Sequence, residues 1–186
     1  MTSSPSKPTP LQLADARGKT VPDLIAPNLR VLFCGINPGL YSAATRHHFA
    51  RPGNRFWPAL HLAGFTPRLI SPFDERELLE LRLGITNVVA RGTASADELT
   101  TDELRRGAKR LQAKVRRYAP RFLAVLGVGA YRAAFVRPGA RLGLQEEMIG
   151  PTRLWVLPNP SGLNAHFQLA DLSRLLRELK TAADAR

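Results

Sequence analysis

The chain has 186 residues, of which 27 are lysine or arginine and 15 are aspartate or glutamate, so its formal net charge is +12. This length suits one domain, and hydrophobic and charged fractions of 44% and 23% exclude a wholly disordered protein. No apolar run approaches the roughly 20 residues that cross a bilayer, and the N-terminus lacks the apolar core of a signal peptide. We therefore expect a soluble protein that is not exported.

The excess of positive charge indicates a polyanionic partner, with nucleic acid ahead of an anionic membrane surface. A basic surface that only aids solubility explains the same count. Cys34 is the single cysteine, which excludes an intramolecular disulfide and a metal site built from several thiolates. We therefore expect a reducing compartment, no metal and no other cofactor.

The chain divides into an arm and a folded domain. Proline, serine, threonine and lysine are frequent in residues 1–23, which predicts a flexible basic arm, and residues 24–186 form the domain. Four apolar runs in this domain are typical of strands buried on both faces. They are residues 30–36, 85–89, 122–128 and 154–157.

Helical patterns lie between and after these runs, at residues 54–64, 72–83, 101–118 and 166–183. The third has acidic residues in its first turn and basic ones in its last, which suits the helix dipole. Its basic face is more typical of a solvated surface than of a DNA track. The alternation predicts a three-layer α/β/α single domain with a short, mainly parallel central sheet.

Two loops follow predicted strands at the edge where such folds bind ligands. Residues 35–39 read Gly-Ile-Asn-Pro-Gly, and residues 158–163 read Pro-Asn-Pro-Ser-Gly-Leu. The stretch VLFCGINPGLYSAATRHHFARPGNRFWPALHLAGFTPR, together with WVLPNPSGL, resembles the mismatch-specific uracil-DNA glycosylase and thymine-DNA glycosylase family. This family is a branch of the uracil-DNA glycosylase superfamily, and the likeness runs from about residue 24 to the C-terminus.

The resemblance implies a role for each matching position. Asn37 matches the asparagine that positions the water attacking C1′ of a flipped deoxyuridine. Phe49 matches the aromatic ring that stacks on the extruded base, and Ser42 lies where the family contacts the pyrimidine edge. The base pocket is expected to comprise Ile36, Pro38, Tyr41, Ser42, Phe49 and Asn87. The loop that grips phosphate and fills the gap in the duplex is Asn159, Pro160, Ser161, Gly162 and Leu163.

Some polar and bulky residues allow two interpretations. Asp97 is the first candidate for a carboxylate that assists Asn37, or it is an exposed acid that starts a helix. Asn87 contacts the base or is a turn amide. Tyr41 replaces a small residue of the family and either narrows the substrate range or adds a stacking surface. His47 and His48 contact phosphate or water, or are simply exposed.

The resemblance implies an enzyme that flips uracil, or thymine or another damaged pyrimidine, out of G:U or G:T mismatched duplex DNA and hydrolyses its N-glycosidic bond. Neither loop contains the lysine that a strand-nicking glycosylase needs, so we expect a monofunctional enzyme. Its expected partners are double-stranded DNA and the base excision repair enzymes that receive the abasic site. We expect a monomer, in the cytoplasm at the nucleoid of a prokaryote or in the nucleus of a eukaryote.

Other functions remain open at this stage. A catalytically weak or inert protein that binds mismatched DNA would keep the basic surface but release no base. The iron–sulfur branch of the superfamily is disfavoured because it needs several cysteines. A nucleotide-processing α/β enzyme is weaker still, because the chain lacks a glycine-rich phosphate loop with its lysine. Ala165 lies near a position where the family often has arginine, so the opposite-base preference stays undecided.

Overall fold

The computed structural model describes residues 7–185, which alternate between strands and helices. The strands are β1 (Val31–Gly35), β2 (Leu83–Asn87), β3 (Phe122–Leu126), β4 (Gly143–Ile149) and β5 (Thr152–Leu157). The helices are α1 (Pro10–Ala14), α2 (Leu40–Thr45), α3 (Phe56–Leu62), α4 (Glu77–Glu80), α5 (Thr101–Tyr118), α6 (Val128–Phe135) and α7 (Leu169–Asp184). Two short 3₁₀ helices cover Pro72–Asp74 and Ala96–Glu98. Within residues 7–185, no helix has the length and apolar character to span a membrane.

The five strands form one sheet in the order β2-β1-β3-β5-β4. Strands β2, β1, β3 and β5 run parallel, and β4 pairs antiparallel with β5 at the sheet edge. The parallel strands therefore end at a common edge, where Gly35 pairs with Asn87. This arrangement confirms the predicted α/β/α fold with a mainly parallel sheet.

The sheet is buried on both faces, which explains why its strands read as continuous apolar runs. Val31 and Phe33 of β1 belong to the core beneath α3 and α7. Leu32 and Cys34 face the other way, into the core beneath α5 and α6. The predicted three layers follow from this alternation of side chains along each strand.

Several elements differ from the predicted pattern. The helix expected at residues 72–83 is a 3₁₀ turn followed by the single turn α4, because β2 already begins at Leu83. The apolar run at residues 122–128 continues past the end of β3 into α6. The sequence pattern does not predict strand β4. This strand lies at the edge of the sheet, and because its side chains alternate between half-buried and exposed, they form no apolar run.

The N-terminal segment differs most. The structure contradicts a flexible arm over residues 7–23, and residues 1–6 lie outside the described part of the chain. Helix α1 carries a capping box at Thr9, and Ala16 is fully buried. Backbone hydrogen bonds of 2.9 and 2.8 Å then join Gly18 and Lys19 to Gly92. The prolines break the helical pattern without preventing the segment from packing on the domain.

Candidate functional site

A cavity of about 470 Å³ opens at the carboxyl edge of the sheet, between the two loops that the sequence singled out. Most of the predicted site residues line it together: Ile36, Asn37, Pro38, Ser42, Phe49, Asn87, Asp97, Asn159, Ser161 and Leu163. The remaining three lie elsewhere. Tyr41 belongs to α2 and is not among the lining residues, Pro160 is buried under the second loop, and Gly162 lines a smaller neighbouring cavity.

The side-chain amide of Asn37 is held in one orientation. Its Nδ2 group donates to the backbone oxygen of Arg91 at 3.0 Å and to Oγ1 of Thr93 at 2.7 Å, and lies 3.2 Å from the oxygen of Pro38. The Thr93 hydroxyl donates its own proton to the oxygen of Ser95, so it must accept from Asn37. These acceptors fix which end of the amide is nitrogen. Oδ1 has no hydrogen-bond donor among the described residues and is free to accept one from water.

The loop that holds Asn37, residues 88–95, is joined to residues 35–39 by backbone hydrogen bonds. Val88, Val89 and Thr93 donate to the oxygens of residues 35, 36 and 38 at 2.9, 2.9 and 3.1 Å. The side chain of Arg91 in turn binds Glu103, in the first turn of α5, through two nitrogens. The hydrogen bonds from Arg91 lower the pKa of Glu103 to about 2. The position of Asn37 thus depends on α5 as well as on its own strand.

Gly35 lets two side chains approach the cavity floor. A Cβ atom at this position would lie 2.6 Å from Oδ1 of Asn87 and 3.2 Å from the ring of Phe49. Phe49 stacks on Phe56, with ring centroids 4.3 Å apart. The amide of Asn87 makes no hydrogen bond with another described residue and lines the cavity. An aromatic surface and an unpartnered amide therefore lie near each other at the end of β1, as a stacked base with polar edge atoms requires.

The backbone around Phe49 is held by buried polar groups. The carboxylate of Glu75 accepts from the backbone nitrogen of His48 at 2.9 Å and lies 3.2 Å from Nδ1 of His47. Ser42 Oγ accepts from the backbone nitrogen of Ala50 at 3.1 Å. Glu75 follows no strand and lies outside both motifs, so no sequence pattern singles it out.

His48 is neither a free phosphate ligand nor an exposed loop residue. It is 2% exposed, and its Nε2 lies 3.0 Å from the backbone oxygen of Pro22. Because a carbonyl only accepts, Nε2 carries the proton. Burial lowers the pKa of His48, which keeps the ring neutral near neutral pH. His48 is therefore a structural support of the cavity wall.

Asp97 lies in a short helix that also borders the cavity. It is exposed in the short Ala96–Glu98 helix, where its backbone nitrogen donates to Oγ of Ser95 at 3.3 Å, and it also lines the cavity. Among the described lining residues, Asp97 carries the negative charge and Arg51 the positive charge. The cavity is otherwise lined by neutral groups.

The second loop is a compact turn with an apolar tip. Asn159 Oδ1 accepts from the backbone of Ser161 at 2.9 Å, and Ser161 Oγ accepts from that of Leu163 at 3.3 Å. These bonds use the short polar side chains that favour such turns. Leu163 is 75% exposed at the tip. An exposed leucine at the tip of a hydrogen-bonded turn is suited to insertion into an apolar environment such as a base stack.

Arg55 holds this loop, and sequence reasoning missed it. Its guanidinium donates to the backbone oxygens of Asn164 at 2.9 Å and Gly162 at 3.1 Å, and also to that of Phe167. Its backbone nitrogen donates to Pro160 at 2.9 Å. The charge of Arg55 suggests a phosphate ligand, but its donors are used within the protein.

Arg51 is the neighbouring cation with a different role. It is exposed, its side chain forms no ion pair or hydrogen bond with another described residue, and it borders both the main cavity and a second one of about 270 Å³. The second cavity lies against Gly162 and Leu163. Arg51 therefore presents a free guanidinium next to the second loop, where an anionic ligand would lie.

The residues of the site do not form a metal centre. Within the described chain, no group of three histidine, cysteine, aspartate or glutamate residues lies close enough to hold an ion. Cys34 lies in β1 and is fully buried, which raises the pKa of its thiol far above its ordinary range. It is a packing residue of the core.

Comparison with known proteins gives two findings. The family profile described as the uracil DNA glycosylase superfamily matches residues 22–180. A solution NMR structure of a candidate uracil DNA glycosylase from Methanosarcina acetivorans is similar with a TM-score of 0.59 and 20% sequence identity. The match covers 88% of this chain and 98% of that one. At this identity the structural similarity shows a shared fold.

Proposed function

Because the chain belongs to the uracil DNA glycosylase superfamily, we propose that it hydrolyses the N-glycosidic bond of uracil in duplex DNA, with G:U and related mismatches as its substrates. The product is an abasic site, the substrate of the following enzymes of base excision repair. The observation that carries this proposal is the position of Asn37. Its Oδ1 accepts no hydrogen bond from a described residue, and it lines a cavity at the carboxyl edge of the sheet, where folds of this class bind ligands.

Asn37 acts by holding a water molecule. Its Oδ1 accepts a hydrogen bond from the water, whose oxygen is then directed at C1′ of the flipped nucleotide. Cleavage passes through an oxocarbenium-like state, with positive charge on the sugar and negative charge developing on the leaving uracil. Because donors and nearby phosphates stabilise these charges, an amide that only orients the water is sufficient. As the bond from the water oxygen to C1′ forms, the C1′–N1 bond breaks, its electron pair leaves with the uracil, and the water gives up its proton to the carboxylate of Asp97.

The base is recognised by Phe49 and Asn87. One face of the Phe49 ring is covered by Phe56, and the ring stacks on the extruded pyrimidine. The amide of Asn87 can donate to a ring carbonyl and accept from the ring N3–H, the pair of atoms that uracil and thymine present. Extrusion costs a few kcal/mol and is cheapest at a mismatch, which favours uracil opposite guanine over uracil opposite adenine.

The second loop fills the space that the flipped base leaves. Leu163 enters the base stack, and Arg51 contacts a neighbouring phosphate. Arg55 keeps the loop in shape through its bonds to the backbone oxygens. No lysine is among the described residues that line the cavity, which supports a monofunctional enzyme, because strand cleavage requires an amine that forms a Schiff base.

Asp97 is the group that assists the water in this proposal. An exposed carboxylate at the cavity can accept the proton that the water loses. Replacing it by asparagine keeps the shape and removes the charge. We expect a slower reaction with a changed pH profile, whereas an unchanged profile would restrict Asp97 to starting its short helix.

The experiment that tests the proposed function is single-turnover excision. Labelled duplexes with uracil, thymine or ethenocytosine opposite each partner are incubated with excess protein and cleaved with alkali. We expect the fastest release from uracil opposite guanine, and a loss of about 100-fold or more in Asn37→Ala with the affinity for the same duplex retained.

Two controls make this result specific. Asn87→Ala should change the ratio of rates between bases more than the affinity for duplex, because it removes the contact to the base edge. A borohydride-trapped protein–DNA adduct would contradict the monofunctional mechanism. If the wild-type protein binds G:U duplex and releases no base, the catalytic proposal fails and a binding protein remains.

A further inference from the structure

The net charge of this protein is concentrated in one segment. Residues 104–145 contain 11 lysine and arginine residues and no aspartate or glutamate. The rest of the chain contains 16 basic against 15 acidic residues. Nearly all of the +12 charge therefore lies on α5, α6 and their connections, on the opposite face of the sheet from α3 and α7.

Six of these residues form a stripe along α5, which we call the α5 stripe: Arg105, Arg106, Lys109, Arg110, Arg116 and Arg117. All six are exposed, and none forms an ion pair with a described residue. At 100° per residue they span an arc of about 140°, and the first and last are about 18 Å apart along the axis. The apolar residues of the helix occupy the other side.

The paired cations of the same segment show that the stripe is distinct. Lys114 binds Asp23, and Arg137 binds Glu147. The cations at the edge of the core are thus paired with acidic side chains, whereas the six outward-facing ones form no ion pair among the described residues. A purely structural role does not account for six adjacent, mutually repelling charges.

The α5 stripe does not belong to the recognition edge. Helix α5 begins beside the loop that lines the cavity and ends before Phe122, where β3 starts at the other edge of the sheet. The half of α5 that carries Arg110, Arg116 and Arg117 therefore leads away from the cavity, and Arg116 and Arg117 in its last turn are separated from it by about 16 Å, the length of a strand. A straight duplex over the cavity extends along the recognition edge, away from this end.

The chemistry of the stripe selects the kind of partner. Exposed large apolar residues occur elsewhere in the described chain, but none lies on α5. A protein interface needs an apolar or aromatic centre, and a membrane-bound helix needs an apolar face that is free to insert, whereas that of α5 is buried in the core. Over 18 Å a duplex offers about ten phosphates, and its major groove is wide enough to admit a helix.

We propose that the α5 stripe binds the phosphate backbone of a second DNA segment, separate from the duplex at the cavity. Two DNA segments held by one molecule permit direct transfer between them during the search for a lesion. This binding requires no lesion and no excision. Only the statement that the first duplex occupies the cavity edge rests on the proposed function.

The test compares two variants with equal loss of charge. The stripe variant is Arg110→Gln, Arg116→Gln and Arg117→Gln, three residues in the half of α5 that leads away from the cavity. The control is Arg76→Gln, Arg174→Gln and Arg177→Gln, three exposed residues of the opposite face. Affinity for a uracil-free 30-bp duplex is measured by fluorescence anisotropy against salt concentration, and thermal unfolding checks that each variant is folded.

We expect the salt slope of the stripe variant to fall by about 2 to 3, since each lost phosphate contact removes about 0.9, and that of the control to change by less than 1. Wild-type protein saturated with one short duplex should bind a second, and the stripe variant should not. Equal slopes in the two variants, or a variant that loses an A-form RNA duplex but keeps DNA, would overturn the proposal. A wild-type protein that shows the slope but excises no uracil would refute the proposed function alone.

Discussion

At the scale of the residue, the two ends of the Asn37 amide have separate tasks. Nδ2 is held by Arg91 and Thr93, and Oδ1 is left for water. A motif alone can name Asn37, because its loop follows a strand and resembles a known family. It cannot name the partners, because they lie 54 and 56 residues further along the chain and reach Asn37 only through the pairing of β1 with β2.

This arrangement predicts that aspartate is a poor replacement for Asn37. A carboxylate has no hydrogen to give to the oxygen of Arg91, and it would face that oxygen at about the 3.0 Å separation that the amide nitrogen now has. An unsatisfied buried acceptor costs about 1 to 3 kcal/mol. We expect Asn37→Asp to lower the free energy of unfolding in urea by this amount at pH 7.5.

The companion measurement is Asn37→Ala in the same assay. Alanine removes the donor without adding a second acceptor next to the Arg91 oxygen, so its loss of stability should be smaller. A stability of Asn37→Asp equal to that of the wild type would show that the loop adapts to a carboxylate, and would contradict the fixed orientation that we describe.

At the scale of the element, Arg51 and Arg55 lie in one short loop before α3 but make different contacts. Arg55 gives its guanidinium hydrogens to backbone oxygens of residues 162–167. Arg51 has no such partner and borders both cavities. Both are arginines that precede α3, and only the folded geometry distinguishes the positioning residue from the free cation.

We predict that replacing each arginine by methionine changes a different property of the protein. Arg55→Met should raise hydrogen exchange of the backbone amides at residues 161–167, because the loop loses three hydrogen bonds from the guanidinium. The same variant should lower the excision rate. Arg51→Met should leave that exchange unchanged and lower the salt slope of DNA binding by about 1. If both variants alter exchange equally, Arg55 does not position the loop.

The sequence predicts some elements well for identifiable reasons. The bounds expected for α5 match because Thr100 and Glu103 form a capping box and Ala119 ends the helix in a left-handed conformation. Strand β1 and the start of strand β3 match because burial on both faces produces an apolar run. Edge strand β4 and the packed N-terminal segment escape prediction because their structure depends on the neighbours that they pair with, which the local pattern does not contain.

At the scale of the whole molecule, charge and recognition are spatially divided. The recognition cavity is lined mostly by neutral groups, whereas residues 104–145 carry nearly all of the net charge. Neutral groups can distinguish one base from another, and phosphate contacts set affinity without reading sequence. The composition therefore predicts a polyanionic partner but not the site at which a lesion is selected.

The N-terminal segment packs against residues 88–95, the loop that holds Asn37. Its backbone pairs with Gly92 through residues 18 and 19, and Arg17 forms an ion pair with Glu98. Gly92 lies between Arg91 and Thr93, the two residues that hold Asn37. The described part of this segment has no residue in the cavity, yet it thus supports the orientation of the Asn37 amide.

Deletion of residues 1–19 should therefore slow excision more than it weakens DNA binding. It removes two backbone hydrogen bonds to Gly92, each worth about 1 kcal/mol. A total loss of about 2 kcal/mol at the loop that holds Asn37 corresponds to an about 30-fold lower single-turnover rate. Arg17→Gln removes only an exposed ion pair, which solvent screens strongly, and should be nearly neutral. Equal rates for the truncated and full-length chains, measured on the same G:U duplex with circular dichroism to verify folding, would show that residues 91–93 hold Asn37 without this support.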